Sequence, residues 1–135
     1  SLIQDKADVC KTIFFHPAVS PDVLLSYTSS ADYGILFYED TCLNHRYCSP
    51  NKIFEYLMAG LPVLISNLYE MKRLVESEVV GIVAEENTVD GFKQAVIDSL
   101  QQDYTAIQHN VFEARKKYCW EEQEKVLKEI YSDKK

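Results

Sequence analysis

Ser49-Pro50-Asn51-Lys52-Ile53-Phe54-Glu55-Tyr56-Leu57-Met58-Ala59-Gly60-Leu61-Pro62-Val63-Leu64-Ile65-Ser66 holds a helix, its stop and a strand in one run. Ser49 is a preferred N-cap type, and Pro50 suits the first helical turn, where its missing N–H is no loss. Gly60 accommodates the left-handed cap and Pro62 cannot continue a helix, so the helix ends near Gly60. Pro62 to Ser66 then reads as a short buried strand. A helix leading straight into a buried strand is one link of a strand-helix repeat.

The flanks repeat the link. Upstream, Thr12-Ile13-Phe14-Phe15-His16 has the composition of a buried strand, and Ser20-Pro21-Asp22 starts a helix through about Ser30 with cap, proline and first-turn acid. Tyr33 to Tyr38 predicts the next strand, and Glu39 to Ser49 an unusually long loop of about eleven residues, of the kind that tends to carry function. Downstream, Leu68, Met71, Leu74 and Val75 share one helical face, and Val80 to Ala84 is a further strand. Thr88 caps a helix carrying Phe92, Ala95, Val96 and Leu100, and two helical stretches centred on Val111 and Leu127 close the chain. The fold class that follows is α/β, a parallel sheet of at least four strands with helices on both faces. Leu2, Ile3, Ala7 and Val9 read as the end of an earlier helix, so the first strands of the sheet are expected to be missing or supplied by another segment.

Residues 1–135 have the length of one domain, which buries roughly two-thirds of the surface its unfolded chain exposes. A net charge of -7 argues against nucleic acid, whose binding relies on arrays of Lys and Arg, but leaves room for a small phosphorylated ligand at one helix tip. No apolar run approaches the ~20 residues of a membrane span and no signal-peptide pattern is present, so the expected setting is cytoplasmic. Cys10, Cys42, Cys48 and Cys119 are expected as free thiols. Cys42, His45 and Cys48 offer metal-ligand types at close spacing but lack the fourth group of a structural zinc site, and an ordinary loop with two reduced cysteines is preferred. No metal and no cofactor is expected.

In open parallel sheets, ligands bind beyond the C-terminal strand ends, where loops enter helix N-termini. Of four such loops, the one ending at Ser49, Pro50, Asn51 and Lys52 is the best anion site, because the amides of Asn51 and Lys52 point outward and Lys52 adds a full charge. Glu55 falls on the same face one turn in. A phosphate at the tip and a carboxylate behind it suit a nucleotide, whose ribose diol one carboxylate can accept from twice. The bland alternative has Glu55 simply solvated. Trp120, Leu127 and Ile130, at helical spacing, read as a core-facing stripe rather than a sugar-stacking set, and Glu121, Glu122 and Glu124 as a solvated face. Asp40, just after a strand end, admits a phospho-receiver reading that lacks its supporting acids and lysine.

The Ser49 to Ser66 run resembles the signature of group 1 glycosyltransferases, also called family-4 glycosyltransferases. The flanks are similar too: Phe14-Phe15-His16-Pro17 resembles the strand and loop under the nucleotide base, Ala31 to Ile35 the opening of the next strand, Val80 to Ala84 the late strand, and Tyr118 to Gln123 the start of the closing helix. The resemblance implies the C-terminal, Rossmann-like half of a two-domain enzyme. This half holds a nucleoside-diphosphate sugar, while the absent N-terminal domain supplies an acceptor glycan or lipid and any peripheral membrane association. It implies retention of anomeric configuration without a metal. By the same likeness Asn51 and Lys52 hold the diphosphate, and Glu55 is the second glutamate of an E-x7-E motif and binds the ribose. His16 is a base-side neighbour. The first glutamate falls at position 47, where the chain has Tyr47; its hydroxyl, with Asn44 or His45 of the long loop, becomes the candidate sugar contact. The family's basic pair for the diphosphate lies upstream of this segment, and no catalytic residue is assigned. The rival reading is a non-catalytic nucleotide-sugar-binding module.

Overall fold

Three short parallel strands order the chain: β1 (Gly34–Leu36), β2 (Val63–Ile65) and β3 (Gly81–Val83), side by side in that order, with Ile35 level with Leu64 and Leu64 level with Ile82. The structure is a computed structural model and describes residues 5–6 and 10–132. Parallel neighbours need a crossover, and both crossovers here are helical. Between β1 and β2 run α2 (Leu43–Tyr47) and α3 (Asn51–Met58), and between β2 and β3 runs α4 (Tyr69–Glu78). A helix α1 (Pro21–Thr28) precedes the sheet, while α5 (Val89–Ser99), α6 (Tyr104–Tyr118) and α7 (Trp120–Ser132) follow it.

Alternation along the strands sends Leu36, Val63 and Ile65 to one face, where they join Ile53 and Leu57 of α3, Met71, Leu74 and Val75 of α4, and Val111 and Ala114 of α6 in one buried cluster. Ile53 and Leu57 lie four residues apart and are fully buried, which is how an amphipathic α3 is pinned to the sheet; each contributes about 1.5–3 kcal/mol of burial. Ile35 and Leu64 face the other way, into a hollow shared with Val96 and Ser99 of α5. Helices therefore cover both faces. The chain leaves α3 through Gly60 at φ 81°, the left-handed geometry expected of it. Gly81 allows the β2–β3 pairing, since a Cβ there would stand 2.0 Å from the Val63 carbonyl oxygen.

The structure departs from the sequence reading in five places. Thr12 to His16 joins no strand, Thr12 lying in a turn whose Ile13 amide donates to the Cys10 carbonyl at 3.2 Å and Phe14 being 88% exposed, and the sheet has three strands rather than four or more among the described residues. Strand composition is only half of a strand; the other half is a neighbour to bond, and this run has none. The long loop after β1 contains the short helix α2. Pro50, not Ser49, occupies the cap position of α3. Finally, Trp120, Leu127 and Ile130 are exposed at 67%, 45% and 56%, because α7 touches α6 but buries no residue in the core: periodicity sets where a stripe lies, not whether anything covers it. Leu100 ends α5 exposed rather than packed. The expected helix positions Leu2, Ile3, Ala7 and Val9 lie outside the described residues. Among those described, no helix is long and apolar enough to cross a membrane.

Candidate functional site

The C-terminal ends of the three strands are sewn together by side chains. Ser66, fully buried after β2, accepts from the Tyr38 amide at 2.6 Å and so ties the end of β1 to β2. Asn67 and Asn87 exchange bonds: the Asn67 amide donates to Asn87 Oδ1 at 2.6 Å, and Asn87 Nδ2 donates to the Asn67 carbonyl at 3.0 Å. Asn67 Nδ2 also reaches the Glu85 carbonyl at 2.9 Å. Polar groups here have partners, as burial demands, and the rim from which the loops spring is fixed.

At this rim α3 begins without a side-chain cap. Pro50 holds an extended φ of -67° and ψ of 138°, and its carbonyl accepts from the Ile53 amide at 3.0 Å. A proline side chain has no oxygen to fold back over the first turn, which leaves the amides of Asn51 and Lys52 among the donors a helix start does not satisfy itself. Ser49, Asn51 and Lys52 are exposed. Lys52 Nζ pairs with Glu55 Oε2 at 2.7 Å, so the common face inferred from spacing is real and the two side chains meet on it. The hydrogen bond to Glu55 raises the Lys52 pKa above its ordinary value, with nearby Tyr56 and Tyr38 adding to the rise, so the lysine is charged at neutral pH. An exposed pair of this kind is worth about 1 kcal/mol or less, so a ligand can exchange with it. Glu55 and Asn51 also line a cleft of about 420 Å³ between α1 and α3, walled by Pro21, Leu24, Phe54 and Met58.

The other candidates sit apart. Tyr47, 56% exposed, packs edge-on against Tyr69 of α4 with ring centroids 5.6 Å apart, and Asn44 is exposed on α2. His16 shares a hydrogen bond of 2.8 Å between Nδ1 and the Pro17 carbonyl and leans on Tyr27 at 4.9 Å. None of these three lines the Glu55 cleft. Asp40 is engaged by Arg46, whose guanidinium reaches it at 2.8 Å and whose pKa that contact raises. His45 Nδ1 lies 2.8 Å from the Glu39 carbonyl oxygen, Cys48 Sγ donates to the His45 carbonyl, and no group of three metal-ligand side chains assembles among the described residues. All four cysteines are free.

Sequence reasoning missed a larger cleft of about 520 Å³ on the same rim, lined by Asp40, Arg46, Asn67, Tyr69, Lys72 and Glu76 among others. Its walls come from separate segments, but Tyr69, Lys72 and Glu76 share a helical face, the one signal that a spacing argument had available.

A parallel sheet with helices on both faces defines an α/β domain of the Rossmann-like kind. The chain belongs to the family described as the glucosyltransferase 3-like, C-terminal domain, which matches residues 3–119. It is thus a glycosyltransferase domain, with every candidate site residue inside the matched span and α7 after it. No curated protein and no solved structure matches the chain.

Proposed function

We propose that this domain binds the nucleoside-diphosphate sugar of a group 1-type glycosyltransferase, with the diphosphate on the start of α3 and the ribose on Glu55. The observation that carries the reading is the uncapped, exposed tip of α3, with Lys52 in its first turn and Glu55 on the wall of the adjoining cleft. The free amides and the Lys52 ammonium place fixed positive charge where the departing diphosphate accumulates negative charge, a main source of rate in such transfers. On ligand binding Lys52 turns from Glu55 to phosphate, and the released carboxylate accepts from the ribose diol. Transfer with retention and without a metal, to an acceptor glycan or lipid brought by another domain in the cytoplasm, belongs to the same proposal; the chain alone then binds donor but scarcely turns it over.

Calorimetry of the chain with UDP, GDP, ADP and their sugars tests this. One nucleoside diphosphate binds; Glu55→Ala removes the ribose contact while freeing Lys52 for either ligand, so it weakens the nucleotide about tenfold relative to inorganic pyrophosphate, and Lys52→Ala weakens both, as loss of a charge-assisted hydrogen bond requires. Absence of nucleotide binding, or variants that bind like the parent, overturns the reading. The engagement of Tyr47 with Tyr69, at the position of the motif's first glutamate, favours a second reading as a non-catalytic binding module. Nucleotide binding without transfer or hydrolysis in the full-length protein selects it.

A further inference from the structure

We propose that the cleft between α2 and α4 is a second ligand site, one that takes a neutral hexopyranose unit. The inference rests on the carbohydrate chemistry of the proposed function but not on the α3 tip, since the two clefts share no lining residue. Its volume of about 520 Å³ is within the usual range for small-molecule sites and ample for a hexose.

The charge pattern selects the ligand class. Three cations border the cleft, and each already has a carboxylate: Arg46 with Asp40 at 2.8 Å, Arg73 with Glu70 at 2.8 Å, and Lys72 with Glu76 at 3.8 Å. A phosphate or carboxylate ligand would have to exchange with one of these acids, at little cost for so exposed a pair, and would meet Glu70 in the first turn of α4 where α3 offers Lys52. A sugar need not, because each hydroxyl both donates and accepts and can insert beside a pair, donating to the acid and accepting from the base. Arg46 and Asp40 present the planar, two-pronged geometry that matches adjacent hydroxyls, with Arg46 Nε and Nη2 both on the carboxylate. Asn67 adds an amide with two N–H donors and an acceptor, of which one donor is spent on the Glu85 carbonyl, and its backbone is fixed by Asn87. One wall is Tyr69, 58% exposed, whose ring is braced edge-on by Tyr47. A sugar's C–H face lies on such a ring, an amphipathic surface with a polar tip. Tyr47 is then a positioning residue for this wall.

Amide and side-chain NMR of the chain titrated with a methyl glucoside decides the matter. The Asn67 side-chain amide and Arg46 Nε–H shift with a dissociation constant in the millimolar range, as befits a ligand of so few atoms. Tyr69→Phe retains the response, Tyr69→Ala weakens it at least about fivefold, and neither alters nucleotide binding. Two sources of the hexose separate in the same experiment: a donor sugar moves cleft signals with the nucleotide sugar but not with its parent nucleoside diphosphate, whereas an acceptor sugar titrates equally well with the donor site saturated. Silence of Asn67 and Arg46 up to about 50 mM glucoside, far above that range, overturns the proposal. So does a tighter response there to inorganic phosphate. Failure of the donor reading is a different outcome, in which nucleotides leave Asn51 and Lys52 unmoved while the glucoside response persists.

Discussion

α3 and α5 both start where a strand ends on the same rim of the sheet, yet they finish their first turns in opposite ways. Thr88 caps α5 by accepting from the Gly91 amide at 3.1 Å, and Asp90 puts a negative charge in that first turn. α3 has Pro50 where α5 has Thr88, no acid in its first turn, and Lys52 instead. Position in the fold therefore does not decide whether a helix start is open, since topology gives both helices the same opportunity. The side chains at the cap and first turn close one tip and repel anions from it, and leave the other open and positive.

The contrast is broken most sharply by giving α3 the equipment of α5. Pro50→Asp supplies a carboxylate that occupies the free amides from within. Nucleoside-diphosphate binding should fall by about 2 kcal/mol, roughly thirtyfold, while the fold gains about 0.5–1 kcal/mol from the new cap. Calorimetry and urea unfolding on the same sample read the two changes. Undiminished binding by a protein that the cap has stabilised would show that the ligand does not use the tip.

The reciprocal change is smaller. Thr88→Ala removes the α5 cap and should lower stability by about 1 kcal/mol. It should create no affinity for pyrophosphate, because Asp90 still opposes an anion there. Pyrophosphate binding gained at the opened α5 tip would mean that free amides suffice and that Lys52 is dispensable.

Local rules made much of this legible in sequence. The α3 boundary at Gly60, the Thr88 cap and the buried face of Leu68, Met71, Leu74 and Val75 depend on neighbours within a turn or two, and each stands as read. The meeting of Lys52 and Glu55 followed from helical spacing as well. The unread features depend on distant partners. Thr12 to His16 has strand composition without a strand to bond, and the α7 stripe has helical period without a surface to cover it. The rim contacts of Ser66, Asn67 and Asn87 join segments about twenty to thirty residues apart, which no periodicity reports. The same holds for the cleft between α2 and α4. Ser49 was misread for a subtler reason: Ser and Pro side by side fit a cap followed by a first turn, but here the helix starts one residue later and the serine is left outside.

Helix C-termini carry a parallel contrast and the mildest test. α3 exits through Gly60, which takes a left-handed conformation without penalty, while α4 exits through Val79 in the same region, at φ 53° and ψ 47°. A branched side chain there costs about 1–2 kcal/mol. Val79 is tolerated because its N–H bonds the Val75 carbonyl and its own carbonyl accepts from Asn110 Nδ2 at 3.1 Å. At 57% exposure the side chain contributes little burial. Val79→Gly relieves the strain but frees the unfolded chain by about 0.5–1 kcal/mol, so a net gain of about 0.5–1 kcal/mol is expected in the urea midpoint, with donor affinity unchanged. A loss of stability instead would place the weight on the Val79 side chain, and α4 would be ended by packing rather than by backbone geometry.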